Sequence, residues 1–206
     1  NHLGRTQSAI FADFDNDGLL DIYLGNFQPE KNALFRNNGD GTFKDIANEA
    51  NADESTFAMA AVPGDYDNDG DVDLYLTHDN FVPYSLLQND GSGKFENVAG
   101  TAGVDHAGQG MGADFGDFDN DGWLDLYVTN LRGNILYRNR GDGTFEDVTE
   151  AYHVGDVGMS WSTFFADFDL DGMLDIYIAK QSSYTSPPLP NVFYHRLSSR
   201  FRVYFP

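Results

Sequence analysis

Four Asp-rich loops at a near-constant interval constrain this chain more than any other feature. They read Asp13-Phe-Asp-Asn-Asp-Gly-Leu-Leu-Asp21, Asp65-Tyr-Asp-Asn-Asp-Gly-Asp-Val-Asp73, Asp117-Phe-Asp-Asn-Asp-Gly-Trp-Leu-Asp125 and Asp167-Phe-Asp-Leu-Asp-Gly-Met-Leu-Asp175. Their first aspartates stand 52, 52 and 50 residues apart. Such a period marks a repeat architecture, in which one supersecondary unit stacks on the next. Each loop leads into an alternating stretch, such as Ile22-Tyr-Leu24 or Leu126-Tyr-Val128. Alternation built from Ile, Val and Tyr is a strand signature.

A second motif follows in the first three units: Leu34-Phe-Arg-Asn-Asn-Gly-Asp-Gly-Thr-Phe43, then Leu86 to Phe95, then Leu136 to Phe145. It reads as strand, Gly-rich turn, strand, since Asn-Gly and Asp-Gly supply the positive φ of hairpin turns. The expected fold is therefore all-β: four repeats of about four antiparallel strands. The Asp loop joins the first strand to the second, and the Gly-rich turn joins the third to the fourth. One repeat domain spans 1–206, with units at about 1–53, 54–105, 106–155 and 156–206. The last unit is atypical. It lacks the Gly-rich turn and carries a Pro-rich stretch, Gln181 to Pro190, expected to be a loop.

The loops read as calcium sites. Ca²⁺ is a hard cation that takes six to eight oxygens. In the first unit Asp13, Asp15 and Asp17 alternate along the loop, Asp21 closes the site, and the carbonyl of Leu19 is the backbone ligand. The corresponding sets are Asp65, Asp67, Asp69, Asp71 (carbonyl) and Asp73; Asp117, Asp119, Asp121, Trp123 (carbonyl) and Asp125; and Asp167, Asp169, Asp171, Met173 (carbonyl) and Asp175. Four carboxylates held this close repel one another unless a cation is present. About four Ca²⁺ per chain are expected. The aromatic residue at the second loop position (Phe14, Tyr66, Phe118, Phe168) is expected in the core. An EF-hand would need a bidentate Glu at the twelfth position and flanking helices. That position holds Leu24, Leu76, Val128 or Ile178, inside strand-like sequence.

These motifs resemble the FG-GAP/VCBS repeat family, nearest its secreted or cell-surface members related to cartilage acidic protein and to integrin α chains. The resemblance covers about Ser8 to Val148 and Ser162 to Ile178. It implies β-propeller blades, with each Asp loop holding calcium within its blade. Leu170 stands where the other units have Asn.

The remaining features narrow the function. A net charge of −21 disfavours nucleic acid and anionic lipid. There is no cysteine for a disulfide or thiolate site, and no apolar run long enough to span a membrane. Gly158-Met-Ser-Trp-Ser162 is not a nucleophile elbow, and His2, His78, His106, His153 and His195 are scattered, so no enzyme is expected. Arg140-Gly141-Asp142 falls on the hairpin turn. The reading is a non-catalytic, secreted or cell-surface structural, adhesion or assembly module. Its two ends are unlike, so it is expected to join another copy head-to-tail, in a ring or filament, or further blades of a parent protein. The alternative is a carbohydrate-binding propeller, with Trp123 and Trp161 as its best aromatic candidates. Glycans or other extracellular proteins are the further partners this reading admits.

Overall fold

The computed structural model describes residues 5–156, 158–181 and 190–204. The Pro-rich stretch expected to be a loop, and His2, therefore lie largely or wholly outside the described residues. Each unit folds as an antiparallel meander of four strands in sequence order. The first blade holds β1 (Arg5–Ala12), β2 (Asp21–Phe27), β3 (Ala33–Asn37) and β4 (Phe43–Asp45). The second holds β5 (Ala58–Gly64), β6 (Asp73–His78), β7 (Ser85–Asn89) and β8 (Phe95–Asn97). The third holds β9 (Gly110–Gly116), β10 (Asp125–Asn130), β11 (Ile135–Asn139) and β12 (Phe145–Asp147). The fourth holds β13 (Ser160–Ala166), β14 (Asp175–Lys180), β15 (Val192–Leu197) and β16 (Arg200–Tyr204).

Both connections fall where the motifs place them. Each Asp loop joins the first strand of a blade to its second, and the Gly-rich turn joins the third to the fourth. Blade four replaces that turn with a two-residue hairpin pairing Leu197 with Arg200. A single helical turn follows blades two and three: α1 (Ala99–Ala102) and α2 (Thr149–Tyr152). Strand patterning alone did not anticipate these.

The core lies between blades. One apolar cluster joins Phe14, Tyr23 and Leu34 of blade one to Leu74, Leu76 and Phe95 of blade two. A second joins Tyr66 and Tyr75 to Leu126 and Phe145. A third joins Phe118 and Tyr127 to Ile176 and Tyr194. A repeat that buries its faces only against neighbours cannot be stable alone, which is why the units come in series. The first strands form the inner row, β1 on β5, β5 on β9 and β9 on β13. Among the described residues no comparable packing joins β13 back to β1, so the row is open.

The open row corrects one expectation. Phe14, Tyr66 and Phe118 are buried, but Phe168 is 48% exposed. The residue type is the same, but in blade four no following sheet covers it.

Candidate metal centres

Each Asp loop has the same internal wiring. The first Asp caps the bend: Asp17 N and Gly18 N donate to Asp13 Oδ1 (3.1 Å) and Oδ2 (2.8 Å). The pattern recurs at Asp65, Asp117 and Asp167. The residue before the third Asp has a left-handed backbone, with φ of 57° at Asn16 and 63° at Leu170. Asn accepts that conformation readily; a leucine there is strained.

The ninth-position Asp is buried in every blade: Asp21, Asp73, Asp125 and Asp175 are all at most 2% exposed. Its two oxygens join the loop to the third strand. Phe14 N and Asn37 N donate to Asp21 (3.2 and 2.8 Å). Phe118 N and Asn139 N donate to Asp125 (2.9 and 2.8 Å). Burial pushes the Asp73 carboxyl up to about 7 and the Asp125 carboxyl up to about 8, with neighbouring aspartates adding to the rise.

The middle Asp is the group that asks for a ligand. Asp15 Oδ1, Asp67 Oδ1 and Asp119 Oδ1 are buried and have no hydrogen-bond partner. A buried bare carboxylate oxygen is costly, and the same atom recurs in three loops. Its neighbours are other carboxylates: Asp13, Asp15 and Asp17 bring oxygens within 4.8 Å of one another, as do Asp65, Asp67 and Asp73, Asp117, Asp119 and Asp125, and Asp167, Asp169 and Asp171. All-oxygen sets of this kind fit a hard divalent cation. The backbone N–H groups of Leu19, Trp123 and Met173 each donate to the preceding Asp, fixing the part of the loop whose carbonyls face the site by the sequence reading.

The wall opposite each middle Asp varies. Arg36 lies near Asp15. Gln88 Nε2 donates to Asp67 (2.6 Å), and Arg138 Nε stands 3.9 Å from Asp119. In blade four it is His195, 3.7 Å from Asp169 and 3.1 Å from Asp175. The four centres share loop chemistry but not surroundings.

Sequence reasoning missed the role of the asparagines. The fourth loop residue reaches the next blade: Asn16 Nδ2 donates to Asp71 Oδ1 (2.6 Å), Asn68 Nδ2 to Gly122 O (3.0 Å) and Asn120 Nδ2 to Gly172 O (3.0 Å). The asparagine of the hairpin motif reaches back. Asn89 Nδ2 donates to Phe14 O (2.8 Å) and Asn139 Nδ2 to Tyr66 O (2.7 Å). In blade four Arg196 takes that place, stacked 5.1 Å over the Phe118 ring. Every Asp loop is thus part of a joint between blades. The Asn recurring in the first three Asp loops was the available signal. Asp71, read as a carbonyl donor, also uses its side chain in this joint.

The buried carboxyls set a pH dependence for the metal-free protein. The folded pKa of Asp73 and of Asp125 lies above the ordinary value near 4, so between about pH 4 and about pH 8 the native state binds more protons than the unfolded one. Stability therefore falls as pH rises through that window. Thermal melts of metal-free protein should show a lower Tm near pH 8 than near pH 5, with a smaller drop in Asp125→Asn. A Tm that rises with pH, or an unchanged slope in the variant, contradicts this assignment.

The two tryptophans stand in different surroundings. Trp123 packs against Gly141 of the hairpin turn, and Trp161 borders a cleft with Met59, Met111 and Met159. No helix among the described residues is long and apolar enough to cross a membrane.

Comparison with known proteins agrees with this geometry. Cartilage acidic protein 1 of Mus musculus and of Homo sapiens are each 28% identical over 141 residues, 62% of this chain. The match covers only 21% of each relative's length. Among solved structures, a lectin of Agrocybe aegerita that recognises non-reducing terminal N-acetylglucosamine superposes with a TM-score of 0.56 at 23% identity. That match covers 95% of this chain and 50% of the lectin. The Malassezia sympodialis allergen Mala s 1 matches with a TM-score of 0.51 at 8% identity, over 98% of this chain and 64% of the allergen. Both share the fold. The FG-GAP-like repeat matches residues 5–76, 79–128 and 119–178, and the chain belongs to that family.

Proposed function

We propose that this chain is a non-catalytic, extracellular repeat module in which each Asp loop holds one Ca²⁺ and the ions stiffen the joints between blades. The observation carrying this reading is the bare, buried carboxylate oxygen repeated at Asp15, Asp67 and Asp119. The asparagine contacts to neighbouring blades converge on those same loops. Calcium tolerates irregular oxygen shells at about 2.3–2.6 Å, whereas Mg²⁺ demands near-ideal octahedra and keeps its waters. Affinity on the order of 10⁻⁵–10⁻³ M suits an extracellular module. A chain without cysteine has no disulfide staple, and calcium takes that part.

The module also joins others of its kind at its ends. Inside the row, the Phe115 ring comes within 2.7 Å of where a Gly64 Cβ would stand, and the Phe165 ring does the same at Gly116. The equivalent aromatic of blade one, Phe11, is 62% exposed. At the other end Ala166 occupies the Gly116 position, beside exposed Phe164, Phe168 and Leu170. One end offers an exposed ring and the other an exposed apolar face of Phe164, Phe168 and Leu170, against which the ring would pack less closely than at Gly64 or Gly116 because Ala166 carries a Cβ. The partner is a second copy, head-to-tail; further blades of a parent protein are the competing occupant.

Two measurements test this. Calcium titration of the 206-residue chain should count four sites, and fewer than two sinks the reading. Light scattering with calcium should give masses above 22.9 kDa that rise with concentration. Phe11→Ser should return the monomer. A monomer at every concentration leaves the calcium reading standing and removes self-association.

A further inference from the structure

A second kind of site lies at the opposite end of the strands from the Asp loops. We propose that the cleft between blades two and three binds a terminal sugar residue of a neutral glycan. The proposal is independent of the calcium reading. The cleft has a volume of about 590 Å³, and its wall includes Phe81, Asn130, Arg132, Asp147 and Glu150.

The first observation is an unused donor. Asn130 is 3% exposed and ends β10. Its Oδ1 accepts from the Tyr84 hydroxyl, and its N–H donates to Asn134 Oδ1 (3.0 Å). Its Nδ2 has no partner. Blade one supplies an internal control. Asn26 stands at the equivalent position, next to the last residue of β2, its N–H donates to Asn32 Oδ1 (2.8 Å), and its Nδ2 donates to Lys31 O (2.6 Å). The connection between the two asparagines is two residues shorter in blade three, spanning four positions instead of six. The carbonyl that satisfies Asn26 has no counterpart placed to satisfy Asn130. A buried amide left bare at the wall of a cleft is set to bind an incoming oxygen.

The second observation is a presented ring. Asn80 and Phe81 both have left-handed backbones (φ 57° and 58°), although neither is glycine. The strained turn is tied down by Phe81 N donating to Gly108 O (2.9 Å). It leaves the ring 57% exposed at the cleft. Strain that holds an apolar ring in water is the kind found at binding sites.

The chemistry of the wall selects the ligand class. An aromatic ring stacks on the C–H face of a sugar. The Asn130 amide donates to a hydroxyl or acetamide oxygen, Arg132 donates to hydroxyls, and Asp147 and Glu150 accept from them. The two carboxylates beside one guanidinium disfavour an anion. An open cleft with mixed walls favours one hydroxyl-rich ring over a long apolar ligand.

Calcium-replete protein should be tested by saturation-transfer NMR against the methyl glycosides of glucose, galactose and N-acetylglucosamine. Transfer to the ring protons of at least one is expected. Phe81→Asn keeps the left-handed backbone but removes the ring, and Asn130→Ala removes the amide. Each should weaken binding about three- to tenfold, the usual weight of one such contact. Trp161→Ala, outside this cleft, should leave it unchanged. Phe81 is exposed, so its variant stays informative if Asn130→Ala unfolds. No transfer to any of the three glycosides, or equal binding in the Phe81 variant, overturns the proposal.

Discussion

Removing calcium should lower the melting temperature by at least several degrees for each loop emptied. A ligand that binds only the native state adds RT ln(1 + [L]/Kd), about 2.7 kcal/mol per site at a hundred times Kd. For a chain of this length each kcal/mol moves Tm by about 2–4 °C, so one loop accounts for about 5–10 °C. Four loops emptied together should cost tens of degrees. The geometry also says where the loss is felt. Asn16 and Asn68 attach their own loops to Asp71 and Gly122 of the following blade. Asn89 and Asn139 hold the backbone of Phe14 and Tyr66 in the preceding one. An emptied loop therefore loosens a joint as well as a blade. Hydrogen exchange after chelation should rise first in the loop amides and in β7 and β11. Melting curves that coincide with and without chelator would falsify the structural role of the ion.

Much of this was legible because the repeats are nearly in register. The aspartate spacing, the alternation after each loop and the Asn-Gly turns are local signals, and local signals place sixteen strands well. What stayed hidden depends on neighbours. Phe168 has the same context as Phe118, yet one is exposed and the other buried, because burial is decided by whether a sheet follows. The asparagines of the Asp loops carried no role in the sequence reading, yet they take a left-handed backbone with φ of 57° to 60°. Their side chains nevertheless reach residues more than fifty positions away, which no single repeat reveals. Phe81 and Asn130 were invisible for the same reason: the cleft exists only where two blades meet, and only a shortened connection leaves the amide bare.

Gly112→Ala should be among the most damaging single substitutions in the chain, despite adding one methyl group. Gly112 lies in β9, where the inner strands of blades three and four approach closest. A Cβ there would stand 2.7 Å from the carbonyl oxygen of Trp161 and 3.0 Å from Ser162 Cα. Both atoms are backbone, so no rotamer change relieves the contact. Thr129 Oγ1, which donates to Gly112 O (3.2 Å), would lie 3.1 Å from it and is held in place. Relief requires moving β13 away from β9, and the apolar cluster of Phe118, Tyr127 and Ile176 opens with it. Overpacking of this kind costs about 1–3 kcal/mol, which here means a drop in Tm of roughly 2–12 °C. Gly25→Ala is the matched control. It is also a strand glycine, but its Cβ would meet Ala58 Cβ at 3.4 Å, an ordinary contact. With no clash, the alanine reduces the freedom of the unfolded chain and should stabilise by about 0.4–1 kcal/mol. Opposite signs from the same chemical change, read by thermal melts in saturating calcium, isolate blade-to-blade packing from strand propensity. If both variants melt alike, the close approach of β9 and β13 is not what holds the row together.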